Sequence, residues 1–152
     1  MKQENSNRTL SWIVLAAAGV SIVGIGSYFI FLRPPLLPED LRFLALPASQ
    51  LDIIKPRLEL WLARVFIVLG GYAVATGVLT IALATTSFRA HSRGAATGAS
   101  IGGAASIGLM AAVNFAIDSD FKWVLLGIAM LWAFSLGLFW LEIRRSRDLT
   151  GK

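Results

Sequence analysis

Cysteine is absent from this 152-residue sequence, and histidine occurs once, at position 91. Without cysteine the sequence offers no disulfide, iron–sulfur cluster, thiol nucleophile or thiolate-ligated zinc. One histidine does not supply the paired axial ligands of a b-type haem, and the further ligands of a zinc or di-iron site are missing around it. We therefore expect no metal, no cofactor and no catalytic residue, and we interpret His91 as a solvated loop residue.

Charge is also scarce, because Asp, Glu, Lys and Arg make up 15% of the sequence, whereas about a quarter is usual in soluble domains. Hydrophobic residues make up 56%, and mean hydropathy is +0.69. An uncharged apolar run of about 20 residues crosses a hydrocarbon core about 30 Å thick as a helix. We predict an all-α integral membrane protein, one domain over 1–152 built as an up-down bundle of four transmembrane helices. The predicted spans are 10–32, 60–88, 94–117 and 122–143.

Residues 33–59 form the one long connection, and they are too apolar for a simple solvated linker. In "PEDLRFLAL", Pro38 suits the first helical position, and Glu39 and Asp40 suit the first turn, where free backbone amides favour negative charge. After residue 51, apolar residues recur every three or four positions up to the second span. The pattern predicts an amphipathic segment lying on the membrane surface between the first two spans.

Basic residues set the predicted orientation. Eight of them, in short segments, fall on the side of the two termini, against six on the other side. The eight are Lys2, Arg8, Arg89, Arg93, Arg144, Arg145, Arg147 and Lys152. The positive-inside tendency then predicts that both termini are cytoplasmic. Because basic residues at helix ends also contact anionic lipid, the net charge of +5 does not indicate a nucleic-acid partner.

The third span begins with the small-residue string "GAATGASIGGAASIG". Small side chains give little hydrophobic transfer energy but permit close backbone approach between helices. We therefore expect this span at the centre of the bundle, packed against the fourth span and also against the second, which offers the rows Gly71 with Ala75 and Ala73 with Gly77. The predicted rows are Gly94, Gly98, Gly102 and Ser106 on the third span, and Ala129, Ala133 and Gly137 on the fourth. The alternative is that the third-span row is a self-association face or a mobile seam.

Two groups of charged residues are candidate sites. Arg64 and Asp118 are predicted at the same depth on neighbouring spans, so they could form an ion pair; alternatively Asp118 caps the fourth span and Arg64 reaches the headgroups. Glu39, Asp40 and Arg42 form a surface polar cluster. Its two carboxylates could divide acid and base roles if their environments differ, or they could only start a helix.

Hydroxyl groups form a third candidate. The row consists of Tyr72, Thr76 and Thr80 on the second span, near Ser100 and Ser106 of the third. Such a row can line a water path, but Ser and Thr hydroxyls in helices more often bond to carbonyls of their own helix.

The strings "RPPLLPEDLRF" and "VFIVLGGYAVATGVLTIALA" are similar to segments of short four-span bacterial membrane proteins without an assigned activity. That resemblance implies a bacterial inner-membrane location and assigns no functional residue. Our leading hypothesis is a non-enzymatic small subunit or self-associating scaffold that contacts the lipid bilayer and a protein partner or a second copy. The alternatives are a small oligomeric channel or transporter, and a lipid-acting enzyme that uses the loop between the first two helices.

Overall fold

The computed structural model describes residues 10–45 and 47–150, and the regular elements in that part of the chain are all helical. The α-helices are α1 (Ser11–Phe31), α2 (Pro38–Leu44), α3 (Ala48–Leu83), α4 (Arg93–Gly103), α5 (Leu109–Ala116) and α6 (Lys122–Thr150). A π-helical turn, Ala84–Phe88, follows α3, and a second, Ala104–Gly108, joins α4 to α5. We call residues 93–116 the third span. Lys2, Arg8 and Lys152, used in the orientation prediction, lie outside the described residues.

Four helical segments are long and apolar enough to cross a membrane, as the sequence predicts: Ser11–Phe31, Asp52–Phe88, Arg93–Ala116 and Lys122–Arg147. Helix α2 begins as expected at Pro38, and the carboxylate of Asp40 accepts a hydrogen bond from the backbone N–H of Leu37 at 2.9 Å. Helix α3 has 36 residues with Pro56 inside it, which corresponds to about 54 Å. Its first turns are therefore the second half of the predicted surface segment.

The central helix is α1, which packs against α3 on one side and α6 on the other. The third span packs against α6 and has little contact with α3 beyond the turn that connects them. This differs from the expectation that the third span is central. The reason lies in the backbone approach between α1 and α3.

Two glycine pairs bring α1 and α3 together. A Cβ placed on Gly26 would lie 2.6 Å from the carbonyl oxygen of Gly70, and one on Gly77 would lie 2.6 Å from that of Gly19. Both distances are too short for a real side-chain carbon, so only glycine permits this contact. The two glycines of each helix are seven residues apart and share one face, because seven residues are about two helical turns.

Trp132 joins α6 to the third span. Its indole Nε1 donates a hydrogen bond to the carbonyl oxygen of Ala99 at 2.9 Å. A Cβ on Gly103 would lie 2.3 Å from that nitrogen, so the indole covers a site that only glycine provides. Ala95 and Ala96 are buried on the same part of the third span. The packed row of this helix is therefore Ala95, Ala99 and Gly103.

The predicted packing row lies about 100° away around the helix, one residue earlier. A Cβ on Gly98 or Gly102 would have no neighbour within 4 Å, and one on Gly94 would meet only Ser92 Oγ at 3.8 Å. Ser106 is half-buried. On α6, Ala129 is half-buried, Ala133 is exposed, and a Cβ on Gly137 would also meet open space. Within this chain, the helices pack through faces adjacent to the predicted ones.

Glu142 of α6 closes the end of the bundle where α1 begins. Its carboxylate accepts hydrogen bonds from the backbone N–H of Leu10 at 2.8 Å and from the hydroxyl of Ser11 at 2.6 Å. It thereby supplies a negative charge at a helix N-terminus that has no capping side chain of its own. His91 Nε2 lies 3.2 Å from the same carboxylate, and its ring stacks on Phe139. His91 is thus a partly buried packing residue, contrary to the solvated loop residue expected from the sequence.

Candidate functional site: a cleft between helix α3 and the third span

A cleft of about 940 Å³ separates α3 from the third span. It exists because α3 packs on α1 while the third span packs on α6, so that the two helices diverge beyond their connecting turn. Residues of α1 and α6 also line the cleft, so that all four long helices contribute to it. Its volume falls in the range of about 300–1,000 Å³ that is usual for small-molecule sites.

The cleft extends along the second half of α1, from Ser21 to the helix end at Phe31, and on to Arg33; the helical part is about 15 Å long. Its inner part is lined mainly by apolar side chains such as Ile22, Met110 and Ile128. The charged groups of the lining are all at the other end, where α1 stops and α2 crosses. We call this the polar end.

A buried carboxylate lies at the polar end. Glu39, on the first turn of α2, is 4% exposed, and Ser119, in the loop before α6, is 2% exposed. The hydroxyl of Ser119 donates to Glu39 Oε1 at 3.4 Å, a long hydrogen bond. Both residues belong to the cleft lining.

Arg33 and Asp40 form the second charged group of the polar end. The guanidinium of Arg33 is 3.0 Å from Asp40 Oδ2, and both side chains are largely shielded from solvent. The guanidinium carbon of Arg33 also lies 3.5 Å from the centre of the Phe66 ring on α3. Arg33 lies two residues after the end of α1, so this interaction ties α1, α2 and α3 together at the polar end.

The predicted surface cluster is therefore divided. Glu39 lies at the cleft with Ser119, and Asp40 is paired with Arg33, whereas Arg42 faces outward and is 2.9 Å from Asp120 on the surface. The carboxylates of Glu39 and Asp40 therefore have different environments. Such a difference was named from the sequence as the condition for dividing acid and base roles between them.

Arg64 and Asp118 are not brought together. The ammonium of Lys122 donates to the carboxylate of Asp118, and this interaction lowers the pKa of Asp118. Arg64 is exposed on α3. Asp118 instead belongs to the turn before α6, with a left-handed backbone at φ 53°.

The hydroxyls of the predicted row bond within their own helices. Thr76 donates to the carbonyl of Tyr72, and Thr80 to that of Thr76. Ser100 and Ser106 donate to the carbonyls of residues 96 and 102 in the same way. The row does not form one path, because Tyr72, Thr76 and Ser106 line the cleft while Thr80 is buried elsewhere and Ser100 is exposed.

The π-helical turn Ala104–Gly108 shapes the wall of the cleft. Its backbone bonds span five residues, as in that from Leu109 N–H to the Ala104 carbonyl, and so shift the helix face of the residues that follow. The turn places Ala105 and Ser106 at the cleft. The cleft and the roles of Arg33 and Ser119 were not predicted from the sequence. The one available indication was the position of Arg33 directly after the predicted first span.

In comparisons with known proteins, no family model, no curated protein sequence and no solved structure matches this chain.

Proposed function

We propose that this chain is a non-enzymatic up-down bundle of four transmembrane helices in a bacterial inner membrane, with both termini cytoplasmic. Large apolar side chains on its outer surface support membrane insertion, among them Val20, Leu79 and Met130, which are about two-thirds exposed (60%, 69% and 62%). Soluble proteins rarely expose contiguous apolar surface of this kind. The basic residues and the sequence resemblance described above support the orientation and the location.

Within that framework, the proposed function is to bind a membrane amphiphile in the cleft between α3 and the third span. The observation that carries this proposal is the distribution of its lining: apolar side chains from all four long helices inside, and charged groups at one end only. A lipid has the same distribution. Leu69 of α3 and Leu109 of the third span line the cleft and are also exposed on the outer surface, so an acyl chain could enter between these helices from the bilayer without crossing water.

The length of the cleft supports the same proposal. Its extent of about 15 Å along α1 is half of a hydrocarbon core about 30 Å thick, so it matches one leaflet. The proposed orientation puts the polar end, near α2, on the side opposite the termini. The amphiphile would then come from the outer leaflet, with its head beside Glu39 and its chain along Ile22 and Met110.

Native mass spectrometry of the protein released from a phosphatidylethanolamine and phosphatidylglycerol bilayer tests this function. Ala105→Trp fills the cleft from the third span, and Ala112→Trp is the matched control, since Ala112 is exposed on the same span but does not line the cleft. We expect the wild type and Ala112→Trp to retain one tightly bound lipid that Ala105→Trp lacks. Equal lipid retention by all three proteins would contradict the proposal.

Contact with a partner is the second candidate function, in keeping with the subunit or scaffold hypothesis. It is favoured by the row Gly94, Gly98 and Gly102: among the described residues, a Cβ on Gly98 or Gly102 would meet nothing within 4 Å, which leaves room for another helix. Cysteine introduced at Gly98 should then form a disulfide-linked dimer in membranes, whereas cysteine at Gly127, which also faces open space on α6, should not. Equal yields at both positions would argue against a specific face.

The other two hypotheses have less support. A water path is not favoured, because the hydroxyls assigned to it already donate to carbonyls of their own helices. A lipid-acting enzyme would use the same cleft and the carboxylates of Glu39 and Asp40, but Asp40 is paired with Arg33. Binding without chemistry is the simpler use of this arrangement.

A further inference from the structure

The carboxylate of Glu39 lacks a counter-charge in the part of the chain that the structure describes. Among those side chains, no Lys, Arg or His nitrogen lies within 4.0 Å of it, and its hydrogen bond comes from the neutral hydroxyl of Ser119 at 3.4 Å. At 4% exposure, this carboxylate also has little contact with water. A buried charge of this kind is costly unless a partner of opposite charge accompanies it.

Arg33 does not provide that partner. It is the one cationic residue of the cleft lining, against two carboxylates, those of Glu39 and Asp40. Its guanidinium is bound to Asp40 at 3.0 Å, donates to the backbone carbonyls of Pro34 and Pro35, and lies over the ring of Phe66. Arg33 and Asp40 therefore offset each other, and the polar end keeps one negative charge.

Two aromatic rings line the same cleft, and one belongs to the segment that holds Ser119: the backbone N–H of Phe121 donates to the hydroxyl of Ser119 at 3.2 Å. Tyr28 of α1 and Phe121 of the loop before α6 line the cleft, with their ring centres 6.0 Å apart. The face of an aromatic ring attracts ammonium groups. A carboxylate together with aromatic rings favours an ammonium group at the polar end and disfavours a headgroup whose only charge is negative.

We propose that the cleft recognises an amphiphile whose polar end carries an ammonium group, and that the Glu39 carboxylate is the counter-charge of that group. This inference rests on the amphiphile-binding function proposed above and names the ligand class. The hydrocarbon part lies in the apolar length of the cleft, and the ammonium group lies between Glu39 and the rings of Tyr28 and Phe121.

The test compares matched probes on the full-length protein in an uncharged maltoside detergent, with binding followed by native mass spectrometry. Dioleoyl phosphatidylethanolamine against dioleoyl phosphatidylglycerol is the phospholipid pair, and oleylamine against oleyl alcohol is the single-chain pair. Both pairs are titrated into the wild type, Glu39→Gln and Asp120→Asn. Glu39→Gln keeps the size of the side chain and a group that can bond to Ser119, so it should fold. Asp120→Asn removes a carboxylate of the surface pair with Arg42, outside the cleft.

In the wild type and Asp120→Asn we expect an amine probe to bind about tenfold more tightly than its counterpart, a ratio typical of one favourable charge interaction. In Glu39→Gln the ratio should fall to about one. A preference within the phospholipid pair identifies a lipid headgroup as the source of the ammonium, and a preference only within the single-chain pair identifies a simple amine.

Equal binding of both members of each pair by the wild type would overturn the ammonium proposal, and so would a preference that Glu39→Gln leaves unchanged. Failure of the cleft as a site has a different signature: Ala105→Trp would bind all four probes as well as the wild type does. Thermal unfolding followed by circular dichroism establishes that each variant is folded before its binding is compared.

Discussion

Alanine at Gly26 tests the glycine contact on which the bundle depends. A methyl group there would lie 2.6 Å from the carbonyl oxygen of Gly70 and 2.7 Å from the backbone nitrogen of Val74. Since neither backbone atom can rotate away, α1 and α3 must move apart by nearly 1 Å to restore ordinary contact. A gap of about 0.5–1 Å already removes a quarter to a half of the dispersion energy of the contacts involved.

We therefore expect Gly26→Ala to lower the free energy of unfolding by about 1–3 kcal/mol, the usual cost of overpacking. Gly24→Ala is the control on the same helix, because a Cβ there meets nothing within 4 Å. In an exposed helical position, alanine is favoured over glycine by up to about 1 kcal/mol, so the control should be neutral or stabilising.

The assay is unfolding in mixed micelles of maltoside and dodecyl sulfate, followed by far-ultraviolet circular dichroism. The two substitutions add the same methyl group to one helix, so differences in propensity cancel between them. If Gly26→Ala and Gly24→Ala agree within about 0.5 kcal/mol, the ordinary range for surface substitutions, the close α1–α3 contact is not present in the folded protein.

Three further changes test other contacts. Gly103→Ala should cost about 2 kcal/mol or more in unfolding free energy, because its methyl group displaces the Trp132 indole and breaks a buried hydrogen bond. Glu142→Ala should cost about 1–3 kcal/mol, because the first turn of α1 loses its acceptor. The interaction with Lys122 lowers the pKa of Asp118 in the folded protein. Its contribution to stability is therefore complete above the unfolded-state pKa of Asp118, and this contribution is lost as the pH falls through the folded-state pKa. Asp118→Asn should abolish this loss of stability at acid pH.

Matched controls exist for the first two of these changes. Gly102→Ala, beside Gly103 but facing open space, should leave unfolding unaffected. Asp120→Ala removes an exposed carboxylate that is paired only on the surface and should cost much less than Glu142→Ala. For Asp118, an unchanged dependence of the unfolding free energy on acid pH after substitution by asparagine would show that another carboxylate causes it.

The number and type of the long helices could be predicted because uncharged runs of sufficient length have few other stable arrangements. The start of α2 followed in the same way from Pro38 and the two acidic residues after it. These are local properties: chain stiffness, free amides and hydropathy determine them regardless of what packs nearby.

The choice of packing face could not be predicted. Two adjacent rows of the third span are both rich in small residues, one through Gly98 and Gly102, the other through Ala99 and Gly103. Composition does not distinguish them. The side chain of Trp132, on another helix, selects the second row because the indole needs both a carbonyl to donate to and a neighbouring position without a Cβ.

The central position of α1 has a signal in the sequence, although the small-residue string of the third span is the more conspicuous one. Glycines recur seven residues apart in the first span, at 19 and 26, and in the second, at 70 and 77. In an antiparallel pair these positions face one another. The cleft has no such signal, because it arises where α3 and the third span diverge, which depends on the packing of all four long helices.

The central claim, that the cleft holds the hydrocarbon chain of an amphiphile, is tested most directly by photolabelling in bilayers with a phospholipid that carries a diazirine in its acyl chain. We expect adducts on Met110 and Ile128 inside the cleft that disappear in Ala105→Trp, while adducts on outward-facing Val20 and Leu79 remain. Labelling confined to the outward-facing residues of the wild type, or cleft adducts that persist in Ala105→Trp, would contradict this claim.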